Sequence, residues 1–291
     1  MNPMNLNHTH ANGLDFAYLE AGDGPLVVLL HGFPDTATTW SHQLPALADA
    51  GYRVVAPYLR GYAPSEVPRD GYFDKATLVT DIVALVRTLG HGKPVHLVGQ
   101  DWGAIIAYGM LAAFPELVRR AVVMAVPHPT VVAGSMLDAK HVHRSFHWWF
   151  FQIPDLPERA IAAHDFAFID YLWSFWSAPG YTDDAHLAEI KATLRVPGVL
   201  PATLGYYRAM LDPRRADPQL QATRAAMERP ITVPTLALCG SADLRAELMA
   251  DQAQYFDAAY RYDVIEDAGH FLHREKPADV TSRMLDWLGA A

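Results

Sequence analysis

Short apolar runs rich in Val, Ile and Leu recur along the chain at Leu26 to Leu30, Arg53 to Ala56, Val95 to Val98, Ala121 to Val126, Thr235 to Cys239 and Tyr260 to Ile265. They are near-continuous, the pattern of strands buried on both faces, where alternation would mark strands with one wet face. Between most of them lie helical stretches, as over Asp81 to Leu89 and Ile105 to Phe114. Strand followed by helix, repeated, predicts an α/β fold with a mostly parallel central sheet flanked by helices. The rhythm is lost from Pro127 to about Thr223 and resumes after Val233-Pro234. That stretch reads as an insertion. It holds Trp148, Trp149, Trp173 and Trp176 of the chain's seven tryptophans and looks helical, cut into short pieces by Pro154, Pro157, Pro179, Pro197, Pro201 and Pro213. The expected organisation is a core domain of residues 1–126 and 224–291 with a helical cap domain over 127–223.

Composition narrows the classes of function. With 51% hydrophobic and 19% charged residues, the 291-residue chain can bury a sizeable core. Its 23 Lys and Arg against 32 Asp and Glu leave a net charge of −9, which repels phosphate backbones and argues against a nucleic-acid partner. The apolar run from Gly103 to Phe114 is closed by Pro115, well short of the roughly 20 residues a bilayer span needs. The first dozen residues are polar, without a basic or apolar leader segment, so no secretory signal is read. The single cysteine, Cys239, fits a cytoplasmic location. A small-molecule substrate handled by a monomer or homodimer, away from membranes, is the expectation.

The most informative segment runs Val95-His-Leu-Val-Gly99-Gln-Asp101-Trp-Gly103 and then directly into helix. This is a nucleophile elbow, G-x-D-x-G, with Asp where such elbows often carry Ser. The glycines leave room for a sharp turn, and the positive end of the helix dipole favours a carboxylate there. Taken alone, Asp101 also reads as a helix N-cap. His31-Gly32-Phe33-Pro34 follows an early strand, and amides there could face the elbow. Near the C-terminus, Gly240-Ser-Ala-Asp243 and Asp267-Ala-Gly-His270 each follow a strand signal, where parallel sheets place their sites. A nucleophile, then an acid, then a histidine in chain order suits Asp243 orienting an imidazole and His270 acting as base.

Together these segments, with Trp40, Leu59-Arg60-Gly61-Tyr62 and Ser65, resemble the α/β-hydrolase fold, in its epoxide hydrolase and dehalogenase branch, over nearly the whole chain. The resemblance implies a helical cap inserted after the sixth strand and an Asp nucleophile, Asp101. It implies an oxyanion hole made by the amides of Phe33 and Trp102. It also implies an alkyl-enzyme ester hydrolysed by water that His270 activates, with no cofactor. Leu204-Gly-Tyr206-Tyr207-Arg208 is similar to the segment that carries the ring-opening acid of epoxide hydrolases, a role that falls to Tyr207, with Tyr206 as the neighbour one register away. The second tyrosine expected in the cap is replaced: alignment of Phe150-Phe151-Gln152 puts His147 there as second donor to the ring oxygen. Trp148 and Phe151 are expected to line an apolar pocket.

His147-Trp148 also resembles the halide cradle of fluoroacetate dehalogenases. Those relatives carry arginines just after the nucleophile, and this chain has none until Arg119. Haloalkane dehalogenase chemistry stays open because Trp102 follows Asp101. A non-catalytic ligand-binding protein on the same fold is the remaining alternative. His141, His143 and His147 are spaced for a helix face but lack accompanying Cys or carboxylate ligands, so no metal site is expected. No G-x-G-x-x-G or phosphate-binding loop occurs, so no nucleotide cofactor is expected either.

Overall fold

The computed structural model describes residues 4–289, so the first three residues of the polar N-terminal stretch, read above for a secretory signal, and the last two of the chain lie outside the described residues. Eight strands form one sheet: β1 (Asn5–Ala11), β2 (Leu14–Ala21), β3 (Leu26–Leu30), β4 (Arg53–Pro57), β5 (Val95–Gln100), β6 (Val118–Met124), β7 (Thr235–Gly240) and β8 (Tyr260–Ile265). Their order is β1-β2-β4-β3-β5-β6-β7-β8. The pairings β1 with β2 and β2 with β4 are antiparallel, and all those from β4 through β3 to β8 are parallel. The α/β class with a mostly parallel sheet is as the apolar runs predict. Central strands β3, β5 and β7 are buried at every position, which is why they read as unbroken runs.

Two departures from the sequence reading come from the sheet edges. The β1–β2 hairpin is absent from the apolar runs, because β1 is an edge strand of mostly polar residues and most of its positions are exposed or half-buried. Its signal was the Asn12-Gly13 pair, both at positive φ, the turn that joins tight hairpins. At the other edge β8 is half-exposed, not buried on both faces, since it pairs with β7 alone.

Helices α1 (Gln43–Asp49), α2 (Lys75–Leu89) and α3 (Trp102–Ala113) lie between the early strands. α2 begins six residues before the expected start, because Asp74 caps it by accepting from the Ala76 amide and the Thr77 hydroxyl. Between β6 and β7 come α4 (Pro129–Ser135), α5 (Ala139–Arg144), α6 (Phe146–Phe150), α7 (Leu156–Trp176), α8 (Asp184–Leu194), α9 (Val199–Leu211) and α10 (Gln221–Ala226). No strand occurs in that stretch among the described residues. The chain closes with α11 (Ala246–Met249), α12 (Leu272–Glu275) and α13 (Pro277–Gly289). No helix among the described residues is long and apolar enough to cross a membrane.

Candidate active site

The sharp turn at the end of β5 sets the site. Asp101 has φ 54° and ψ −119°, a strained backbone for a residue with a Cβ. The strain is held by close packing: a Cβ on Gly103 would lie 2.1 Å from the Leu30 carbonyl oxygen, so only glycine lets α3 start this near β3. Asp101 occupies the N-cap position of α3, yet its side chain makes no capping bond. Its Oδ1 instead accepts from the Phe33 amide at 2.8 Å. The loop can come this close because residue 32 is glycine; a Cβ there would sit 2.4 Å from the Asp101 Cβ. His31 braces the same loop, its Nε2 accepting from the Leu59 amide at 3.1 Å. Burial pulls the His31 pKa down to about 4, so the ring stays neutral.

His270 faces the other carboxylate oxygen. Its Nε2 lies 3.4 Å from Asp101 Oδ2, an ion-pair distance without the alignment of a hydrogen bond, and its Nδ1 lies 3.0 Å from Asp243 Oδ2. Asp243 is fixed by its own turn, Oδ1 accepting from the Arg245 amide at 2.6 Å. Burial disfavours the charged imidazole, but the two carboxylates outweigh it and raise the pKa to about 9. β5, β7 and β8 thus deliver Asp101, Asp243 and His270 to one point at the carboxyl ends of the strands.

The expected α9 tyrosines part company. Tyr206 donates its hydroxyl to the Arg60 carbonyl at 2.8 Å. Tyr207 turns to the other side, edge-on to Phe33, Trp102, His147 and Phe151 at ring distances of 5.1–5.4 Å. Burial, reinforced by the Asp101 charge and opposed by a hydrogen bond with the Trp102 side chain, pushes its phenol well above the ordinary value. The phenol therefore keeps its proton. His147 is buried, and burial, then the Arg245 and His270 charges, hold its pKa well below the usual imidazole value. It is a neutral ring with an unpartnered Nδ1. Phe151 is fully buried against Phe33 and Tyr207. Trp148 sits further out, its ring against His141 and beneath the Arg245 guanidinium, and it meets the cluster through an edge contact with His147 at 6.1 Å.

Sequence reasoning did not single out Trp173 and Trp176, both on α7. The Trp176 ring lies 4.8 Å from His147 and 5.4 Å from His270. Trp173 stacks on Phe271 at 3.6 Å and donates its indole N–H to the Pro34 carbonyl. Their clue was the tryptophan density of the insertion, which marks an aromatic cluster without saying which rings face the sheet.

The chain matches the family model described as alpha/beta hydrolase fold over residues 25–277. It is 30% identical over 295 residues to "AB hydrolase superfamily protein YfhM" of Bacillus subtilis (strain 168), covering 99% of each chain. It is 32% identical over 286 residues to "Epoxide hydrolase 4" of Homo sapiens, covering 94% of this chain and 75% of that one. Among solved structures, epoxide hydrolase A from Mycobacterium thermoresistibile superposes with a TM-score of 0.81 at 27% identity, covering 99% of both chains.

Proposed function

The chain belongs to the α/β-hydrolase fold family, and from that premise we propose that it is an epoxide hydrolase that converts an apolar epoxide to a vicinal diol through an alkyl ester on Asp101. One observation carries this reading: the Asp101 carboxylate is divided, with Oδ1 bound by the Phe33 amide at 2.8 Å and Oδ2 left facing His270. The likeness to proteins named epoxide hydrolases supports the same substrate class.

In the first step Asp101 Oδ2 attacks a ring carbon. The C–O bond of the epoxide breaks, its electron pair stays on oxygen, and that oxygen takes the Tyr207 proton. A phenol held protonated is the right acid for an alkoxide, and a neutral His147 can offer a ring N–H beside it. In the second step water adds to the Asp101 carboxyl carbon and gives a proton to His270, while Asp243 steadies the imidazolium. The amides of Phe33 and Trp102 hold the tetrahedral oxyanion. Collapse breaks the bond to the alkyl oxygen, which leaves as the diol after taking the proton from His270, and the water hydrogen left on the Asp101 carboxyl group passes to the Tyr207 phenolate, which restores both groups. Esterification neutralises Asp101, so one of the carboxylates that hold the proton on His270 is gone when the base is needed.

In this reading residues 127–223 form a cap over a core of 1–126 and 224–291, and Phe151, with Trp148 behind it, lines an apolar pocket. The enzyme works in the cytoplasm on a small molecule, as a monomer or homodimer. The test is the intact mass of a His270→Gln variant exposed to styrene oxide, a bromoalkane and fluoroacetate. An adduct equal to the whole epoxide, lost on Asp101→Asn, is expected. An adduct from a halide alone, with halide released, would replace this reading with a dehalogenase.

A further inference from the structure

His270 is carried on the turn between β8 and α12, and the last residue of α12 reaches back to that turn. Glu275 Oε2 accepts from the Gly269 amide and the Ala178 amide, each at 2.8 Å, and Oε1 accepts from the Phe271 amide at 3.0 Å. Two of these donors flank His270. The third lies just past the end of α7, in the insertion. The His270 amide itself donates to the Trp176 carbonyl at 2.8 Å. Residues 176–178 and 269–271 are therefore stitched together, and the fit is close: a Cβ on Gly269 would lie 2.4 Å from the Trp176 oxygen. Burial raises the Glu275 pKa, with the three amides and the His270 charge opposing it. A carboxylate can accept from all three amides at once. A carboxamide has one acceptor oxygen and would turn an NH2 toward an N–H.

We propose that Glu275 is a positioning residue for ester hydrolysis. Its carboxylate holds the His270 turn and the 176–178 segment in one arrangement, so that the imidazole stays in line between Asp243 and the Asp101 carboxyl group. The inference rests on the function proposed above, in which ring opening uses Asp101 and Tyr207, whereas only the hydrolytic step uses His270 as a base. Loosening the turn then slows the second step and spares the first. A purely structural role would lower both together through the fraction of folded enzyme.

The experiment follows both steps in full-length Glu275→Gln with styrene oxide, by stopped-flow tryptophan fluorescence and quenched intact mass, beside wild type and His270→Gln. Ester formation is expected within about twofold of wild type, with hydrolysis slowed about tenfold to a hundredfold, the scale of a small misplacement of a catalytic group. Ala178→Pro, which removes the donor from the insertion and leaves Glu275 and its bonds to the Gly269 and Phe271 amides in place, carries the test if the glutamine variant does not fold; a smaller slowing confined to hydrolysis is expected. Equal slowing of both steps, or unchanged hydrolysis, overturns the role of Glu275 while leaving the proposed function standing. No epoxide adduct in His270→Gln overturns the function and this role with it.

Discussion

The indole N–H of Trp173 donates to the carbonyl of Pro34 at 2.9 Å, so a residue of the inserted helices ties down the loop whose preceding amide, from Phe33, binds Asp101. The same indole lies flat on Phe271, the neighbour of His270. One side chain therefore braces both the loop that binds the Asp101 carboxylate and the turn that carries His270.

Replacing Trp173 by Phe keeps an aromatic ring on Phe271 but leaves the Pro34 carbonyl without its donor. Leaving a buried acceptor unpaired costs about 1–3 kcal/mol. The expected result is a lower kcat toward styrene oxide together with a lower Tm, measured by steady-state kinetics and thermal unfolding. An unchanged kcat would mean that the loop holds its shape without the indole.

The two adjacent tyrosines should separate cleanly. Tyr207→Phe removes the proposed ring-opening acid, and kcat is expected to fall by about 10² to 10⁴. Tyr206→Phe leaves the buried Arg60 carbonyl without its donor and should cost about 1–3 kcal/mol of stability with kcat nearly intact. Kinetics and urea unfolding on both variants check this, and an intact kcat in Tyr207→Phe would reassign the acid.

His270 should titrate near pH 9 in the free enzyme, because its two carboxylate partners outweigh its burial. A pKa raised by folding means that the charged ring stabilises the protein fully below its unfolded value of about 6.5. That contribution is lost as pH rises through about 9. Asp101→Asn mimics the loss of charge on esterification and should lower the pKa. NMR titration of the ring protons decides the point; equal values in the two proteins would remove the argument that esterification frees the base.

Arg60 is buried, with Nε at 2.6 Å from Asp81 and Nη1 at 2.8 Å from Asp70. Arg60→Met leaves the Asp81 carboxylate buried without its cation, and the expected loss is about 3–5 kcal/mol in urea unfolding. Restoring much of that stability by adding Asp81→Leu would show that the cost lies in the orphaned charge and not in lost packing.

The α/β class and the strands β3 to β7 were legible because extensive burial imposes an apolar run that local sequence must record, whereas β8 showed as a run although it is half-exposed. Asp101, Asp243 and His270 were legible because each needs a particular residue type at a strand end, and Gly103 records how near the chain must pass. The β1–β2 hairpin was overlooked because an edge strand has one wet face and no continuous run. The roles of Trp173 and Glu275 left no local pattern, since each depends on a contact made across the fold, from Trp173 to the Pro34 carbonyl and from Glu275 to the Ala178 amide.

By itself the sequence determined the kind of sheet, the sharp turn at Asp101 and the places of Asp243 and His270 after later strands, all of which follow from local geometry and periodicity. Only the tertiary structure decided that Tyr206 is tied to the Arg60 carbonyl while Tyr207 turns toward His147 and Phe151, and that Asp101 binds an amide 68 residues away instead of capping its own helix. The physical reason is that these choices are competitions among hydrogen-bond partners and packing volumes brought together from separate elements, and such competitions have no local signature.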